Sequence, residues 1–91
     1  DYDDERAIGT GGRRDAIGTQ AYRSGFDRGL LDGRQAGREE RQNNRAWDLE
    51  GQRELEQANA GYQNSMGRLD HYQAGYRAGF RQGYRQGFGP R

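Results

Sequence analysis

The sequence predicts an all-α fold, a helical hairpin of glycine-notched helices that self-associates into a helical assembly. Three observations carry that prediction. From Tyr72 to Phe88 an aromatic residue recurs at every fourth position (Tyr72, Tyr76, Phe80, Tyr84, Phe88), interleaved with Gly75, Gly79, Gly83 and Gly87. An upstream copy sets Tyr22, Phe26 and Leu30 among Gly25, Gly29, Gly33 and Gly37, its large positions decaying to Arg34. The β-branched residues, which would favour strands, are only Ile8, Thr10, Ile17 and Thr19, and all precede the first repeat.

A period of four places successive repeats on one inclined ridge of a helix, so the glycines form a trough and the rings a ridge beside it. Each helical glycine is about 1 kcal/mol worse than alanine, so eight cost roughly 8 kcal/mol. Close approach of two backbones through Cα–H···O contacts offsets part of this. A buried ring adds about 4–6 kcal/mol at 25 cal/mol per Å², so two or three covered rings restore the balance. Each helix therefore needs a partner surface. The pattern resembles that of glycine-zipper proteins with aromatic-x-x-Gly tetrapeptide repeats, and this resemblance implies close helix packing.

The elements follow in order. Residues 1–19 form an acidic, glycine-rich N-terminal segment in which AIGT occurs twice, and Thr19 is placed to cap a helix. The first repeat helix spans 20–42, and Asn43-Asn44 supplies the break, since asparagine tolerates the left-handed conformation that ends helices. From Trp47 the residues Gly51, Leu55, Ala58, Tyr62, Met66 and Leu69 keep an eleven-residue helical period. The reading is one long second helix over 45–88, with a break around Gly61 to Gly67 as the competing one. Gly89-Pro90 stops it, and 89–91 is a tail. In that hairpin Gly25 to Gly37 face roughly Glu50 to Tyr62, and the second repeat overhangs toward another subunit.

Composition bounds function. Ten of 91 residues are Leu, Ile, Val or Phe, too few for an ordinary globular core, and no cysteine is present to supply disulfides. The longest run of large apolar residues is Leu30-Leu31, far short of a membrane span. His71 stands alone, Ser24 and Ser65 lack a hydrolase context, and Glu50, Glu54 and Glu56 read as a solvated face, so neither catalysis, metal nor cofactor is expected.

All fifteen basic residues are arginine, against fourteen acids. Arg77, Arg81 and Arg85 form a stripe without an acid near them, while Asp3, Asp4 and Glu5 crowd the start, an arrangement suited to head-to-tail contacts. The expected interface comprises the eight glycines with Tyr22, Phe26, Tyr72, Tyr76, Phe80, Tyr84 and Phe88. The expected role is a structural subunit of an extracellular or cell-surface filament whose partner is itself, the start at Asp1 fitting a processed chain. The alternative is a polyanion- or nucleic-acid-binding accessory protein using the C-terminal Arg/Tyr stripe. A disordered, phase-separating chain is a further rival, which the strict register opposes.

Overall fold

The computed structural model describes residues 16–90. Among these there are two long helices, α1 (Gln20–Gln42) and α3 (Leu69–Phe88), a single-turn helix α2 (Glu54–Gln57), a 3-10 turn at Asn64–Met66, and no strand. The all-helical class is thus the fold class observed. The two long helices pack against each other along their lengths.

Thr19 opens α1: its Oγ1 accepts from the Tyr22 amide at 3.1 Å and donates to the Ala16 carbonyl at 2.7 Å. At the other end Asn44 takes φ 58°, and the amides of Asn43 and Arg45 turn back onto the carbonyls of Glu39 and Glu40. α3 ends at Phe88, where Gly89 (φ 80°) carries the chain out of the helix before Pro90.

The expected second helix over 45–88 is not one helix. Its first half is an irregular strap, and only 69–88 is α3. Residues 45–68 contain Gly51, Gly61 and Gly67, and three turns of the chain use left-handed backbone: Ala58 (φ 51°), Gly61 (φ 80°) and Gly67 (φ 115°). The strap instead directs its backbone polar groups at α3. Arg77 donates to the carbonyls of Leu55 and Glu56 at 2.9 and 3.0 Å, Gln73 to that of Gln57 at 2.9 Å, and Tyr72 to that of Ala60. The Asp48 amide donates to the Tyr84 hydroxyl at 3.0 Å. Tertiary hydrogen bonds have replaced helical ones.

Those contacts fix the direction of the pair. Along the strap Asp48 lies at Tyr84, Leu55 at Arg77 and Ala60 at Tyr72, so the strap runs antiparallel to α3. It starts from the C-terminal end of α1 and returns to its N-terminal end, where Gly67 lies against Ala21. α3 then runs alongside α1 in the same direction. Gly25 meets Tyr72, Gly29 Tyr76, Gly33 Phe80 and Gly37 Tyr84, both numbers rising together. The chain does fold back on itself, but through a long return strap, so the two repeat helices are parallel. The expected facing of Gly25–Gly37 with Glu50–Tyr62 is replaced by a facing with α3.

Candidate interaction face

Parallel pairing sets the two repeats level with each other. Gly25, Gly29, Gly33 and Gly37 pack against the backbone of residues 72–88, and Gly75, Gly79, Gly83 and Gly87 against that of residues 22–34, so the match is between positions fifty apart. A Cβ on any of the eight would overlap a backbone carbonyl oxygen of the facing helix: that of Phe26 for Gly79, that of Phe80 for Gly33. The repeat carries glycine because backbone stands where a side chain would be.

This arrangement has two sides, related approximately by a two-fold axis along the pair. On one, the α3 rings lie in a row: Tyr72, Tyr76 and Phe80 stack in sequence at 6.5 and 6.0 Å between centroids, and Tyr84 stacks on Phe88 at 5.9 Å. The strap covers them. Trp47 meets Tyr84 and Phe88 edge-on at 4.9 and 5.5 Å, Tyr62 meets Tyr72 at 5.3 Å, and Leu49, Leu55 and Ala58 complete the core. Arg41 lies 5.3 Å over the Phe88 ring. Tyr76, Phe80 and Tyr84 are 0% exposed.

Buried phenols need acceptors, and α1 supplies them in register. The Tyr76 hydroxyl donates to Asp32 Oδ2 at 2.6 Å and that of Tyr84 to Glu40 Oε1 at 2.5 Å. Arg28 holds Asp32 through Nε at 3.1 Å, and Gln52 holds Glu40 at 3.1 Å. Between these pairs, one step along both helices, stand Phe80 and Ala36, neither with a hydroxyl nor a carboxylate. Burial pushes all three α3 phenols above the ordinary tyrosine range, and for Tyr76 the adjacent Asp32 carboxylate adds to it.

On the opposite side the α1 ridge, Tyr22, Phe26 and Leu30, is only half-buried. Tyr22 and Phe26 stack at 6.4 Å, and Arg34 donates to Gln86 at 2.7 Å. Among the described residues no strap crosses this ridge. Beside it a groove of about 440 Å³ is lined by Tyr22, Ala74, Ala78 and the side chains of Arg77, Arg81 and Arg85. On the strap side a larger cleft, about 840 Å³, is lined by Glu40, Asp48, Glu54 and Glu56 with Arg45 and Arg53. Among the described residues no three His, Cys, Asp or Glu side chains are grouped to hold a metal ion.

The expected interface residues therefore divide. The eight glycines, expected to meet a second molecule, meet the facing long helix of their own chain, and the five α3 rings, expected to do the same, are covered by α1 and the strap. The reason is the return strap, which lets one chain present both halves of the glycine contact. Tyr22 and Phe26 remain partly open. Of the arginine stripe, Arg77 is bound by strap carbonyls and Arg81 pairs with Glu50 at 3.1 Å, holding that carboxyl below the usual range. Arg85 makes no ion pair among the described residues. Asp3, Asp4 and Glu5 lie outside the described residues.

Two features escaped the sequence reading. Trp47, Leu55 and Tyr62 keep a helical spacing in the sequence but belong to the strap core, and Leu49, outside that spacing, joins them. The pairing of Asp32 and Glu40 with Tyr76 and Tyr84 had a visible signal, two acids and two tyrosines each eight apart, which means nothing until the register is known. Comparison with family models, with curated proteins and with solved structures returns no match. No helix among the described residues is long and apolar enough to cross a membrane.

Proposed function

We propose that this chain is a non-catalytic structural subunit that self-associates, serving in an extracellular or cell-surface filament. The observation that carries this reading is the asymmetry of the two ridges. One is sealed by its own strap; the other, Tyr22, Phe26 and Leu30, is presented half-open on the same stiff pair of helices. Leu31 beside it is 63% exposed. Half-open aromatic surface on an otherwise hydrophilic protein (mean hydropathy −1.43) favours a protein partner. The role of the glycine troughs in this reading is internal: they hold the subunit rigid, and assembly uses the face they leave outside. Sedimentation velocity across concentrations, with electron microscopy of the most concentrated sample, tests it. Species that grow with concentration are expected, and a monomer throughout would sink it.

A second reading follows from the groove. Tyr22 with Arg81 and Arg85 offers one ring and two cations to an anionic chain. The α3 tyrosines contribute nothing to it, because their rings are enclosed and their hydroxyls engaged. Retention on heparin that falls steeply with salt, and that Arg85→Ala weakens, would favour this alternative.

A further inference from the structure

We infer that the self-association contact is a two-fold one, in which the outer face of α1 packs antiparallel against the same face of a second copy, about an axis level with Ser24 and Gly25. This rests on the self-association reading and adds to it the site and the symmetry. The outer face of α1 carries two neighbouring columns. One is the half-buried ridge Tyr22, Phe26, Leu30; the other is Arg23, Asp27, Leu31, all exposed.

An antiparallel two-fold contact opposes each column to its own copy, so a face that associates this way must be complementary to itself. This one is. With the axis at residues 24–25, Tyr22 of each copy lies level with Phe26 of the other, and Arg23 with Asp27. Both charges are available. Arg23 and Asp27 stand four apart on the helix, yet no ion pair joins them; Arg23 donates instead to the Gly18 carbonyl at 3.2 Å, and Asp27 makes no hydrogen bond or ion pair among the described residues. Ile17 and Leu31, 53% and 63% exposed, are two of the three most open large apolar residues among those described, and they lie on either side of that axis, Leu31 within α1 and Ile17 just before its start. At 1.5 Å per residue Leu31 stands about 10 Å from it, so Leu31 of one copy falls toward the start of α1 of the other, which Ile17 precedes. Aromatic meets aromatic, acid meets base and the exposed aliphatics are brought toward each other under one operation.

Charge exchange tests this on the full chain. Asp27→Arg leaves two arginines in the exposed column, and Arg23→Asp leaves two acids. Each variant alone is expected to dimerise at least tenfold more weakly than the parent in sedimentation velocity, and an equimolar mixture is expected to form a heterodimer, both ion pairs being restored. Leu31→Glu, at a site 63% exposed in the subunit, is expected to weaken the dimer at least tenfold with an unchanged melting temperature. If the parent dimerises and all three variants dimerise equally well, the α1 site is overturned while self-association stands. A dimer dispersed instead by Arg81→Glu or Arg85→Glu moves the contact to the groove and also overturns it. A parent chain that never dimerises removes the underlying reading.

Discussion

At a glycine of the α1–α3 contact two opposing effects can be weighed. Alanine would gain about 1 kcal/mol of helix propensity. Its methyl at Gly79, however, would overlap the Phe26 carbonyl, which as part of a helix cannot swing aside like a side chain. Overpacking of this kind costs about 1–3 kcal/mol or more once backbones must part. Gly79→Ala is expected to lower the urea midpoint despite the better helix former. Gly18→Ala, with nothing within 4 Å of the new methyl, should raise stability by about 0.4–1 kcal/mol. The phenols make a second prediction at this scale. Tyr72, Tyr76 and Tyr84 hold their protons more tightly when folded than at the unfolded value of 10.0, chiefly because they are desolvated. Above pH 10 the unfolded chain binds fewer protons, so stability is complete below that pH and falls as pH rises beyond it. Urea unfolding between pH 9 and about 11.5 should show that decline, and Tyr76→Phe should make it shallower.

Among the elements, α3 is organised by what α1 offers opposite each ring. Tyrosine stands where Asp32 or Glu40 accepts, and phenylalanine where Ala36 does not. Sliding one helix by a single repeat would set hydroxyls against Ala36 and carboxylates against Phe80, so these pairs lock the register that the uniform glycines leave free. Phe80→Tyr should therefore destabilise by about 1–3 kcal/mol, the cost of a buried hydroxyl without an acceptor. Tyr76→Phe should cost less, about 0.5–1.5 kcal/mol, because Arg28 still holds Asp32. Equal losses in denaturant titrations of the two variants would contradict the register argument. The strap matters at the same scale, since its carbonyls bind Gln73 and Arg77 and its Trp47 closes the end of the ridge.

For the whole molecule the consequential feature is that α1 and α3 run the same way. Their dipoles add unfavourably, an effect limited to a few tenths of a kcal/mol to about 1 kcal/mol and concentrated at the helix ends. Eight backbone-to-backbone contacts outweigh it. Spin labels at the exposed positions Gln20 and Asp70 should report a short distance, and labels at Gln20 and Gln86 a clearly longer one, the intervening helix offsetting them by about 24 Å along its axis. A pair joined by a tight turn would give the reverse order. A two-fold contact through α1 closes on itself, so a filament would use the dimer as its repeating unit and join dimers through a second surface, for which the exposed Arg85 and its groove are available.

The four-residue period by itself determined that 20–42 and the stretch after Leu69 are helices, and that their glycines mark a close backbone approach, because spacing and the absence of β-branched residues act locally. Local signals do not carry direction or partner. Trp47, Leu55 and Tyr62 keep a helical spacing, yet in the fold they lie on an irregular strap, since the carbonyls there are worth more to Arg77 and Tyr72 than to a helix of their own. Only the tertiary structure decided that the glycine columns meet within one chain, in parallel. That choice rests on contacts between residues forty-four to fifty-three apart, and it also determines which ridge is left for another molecule.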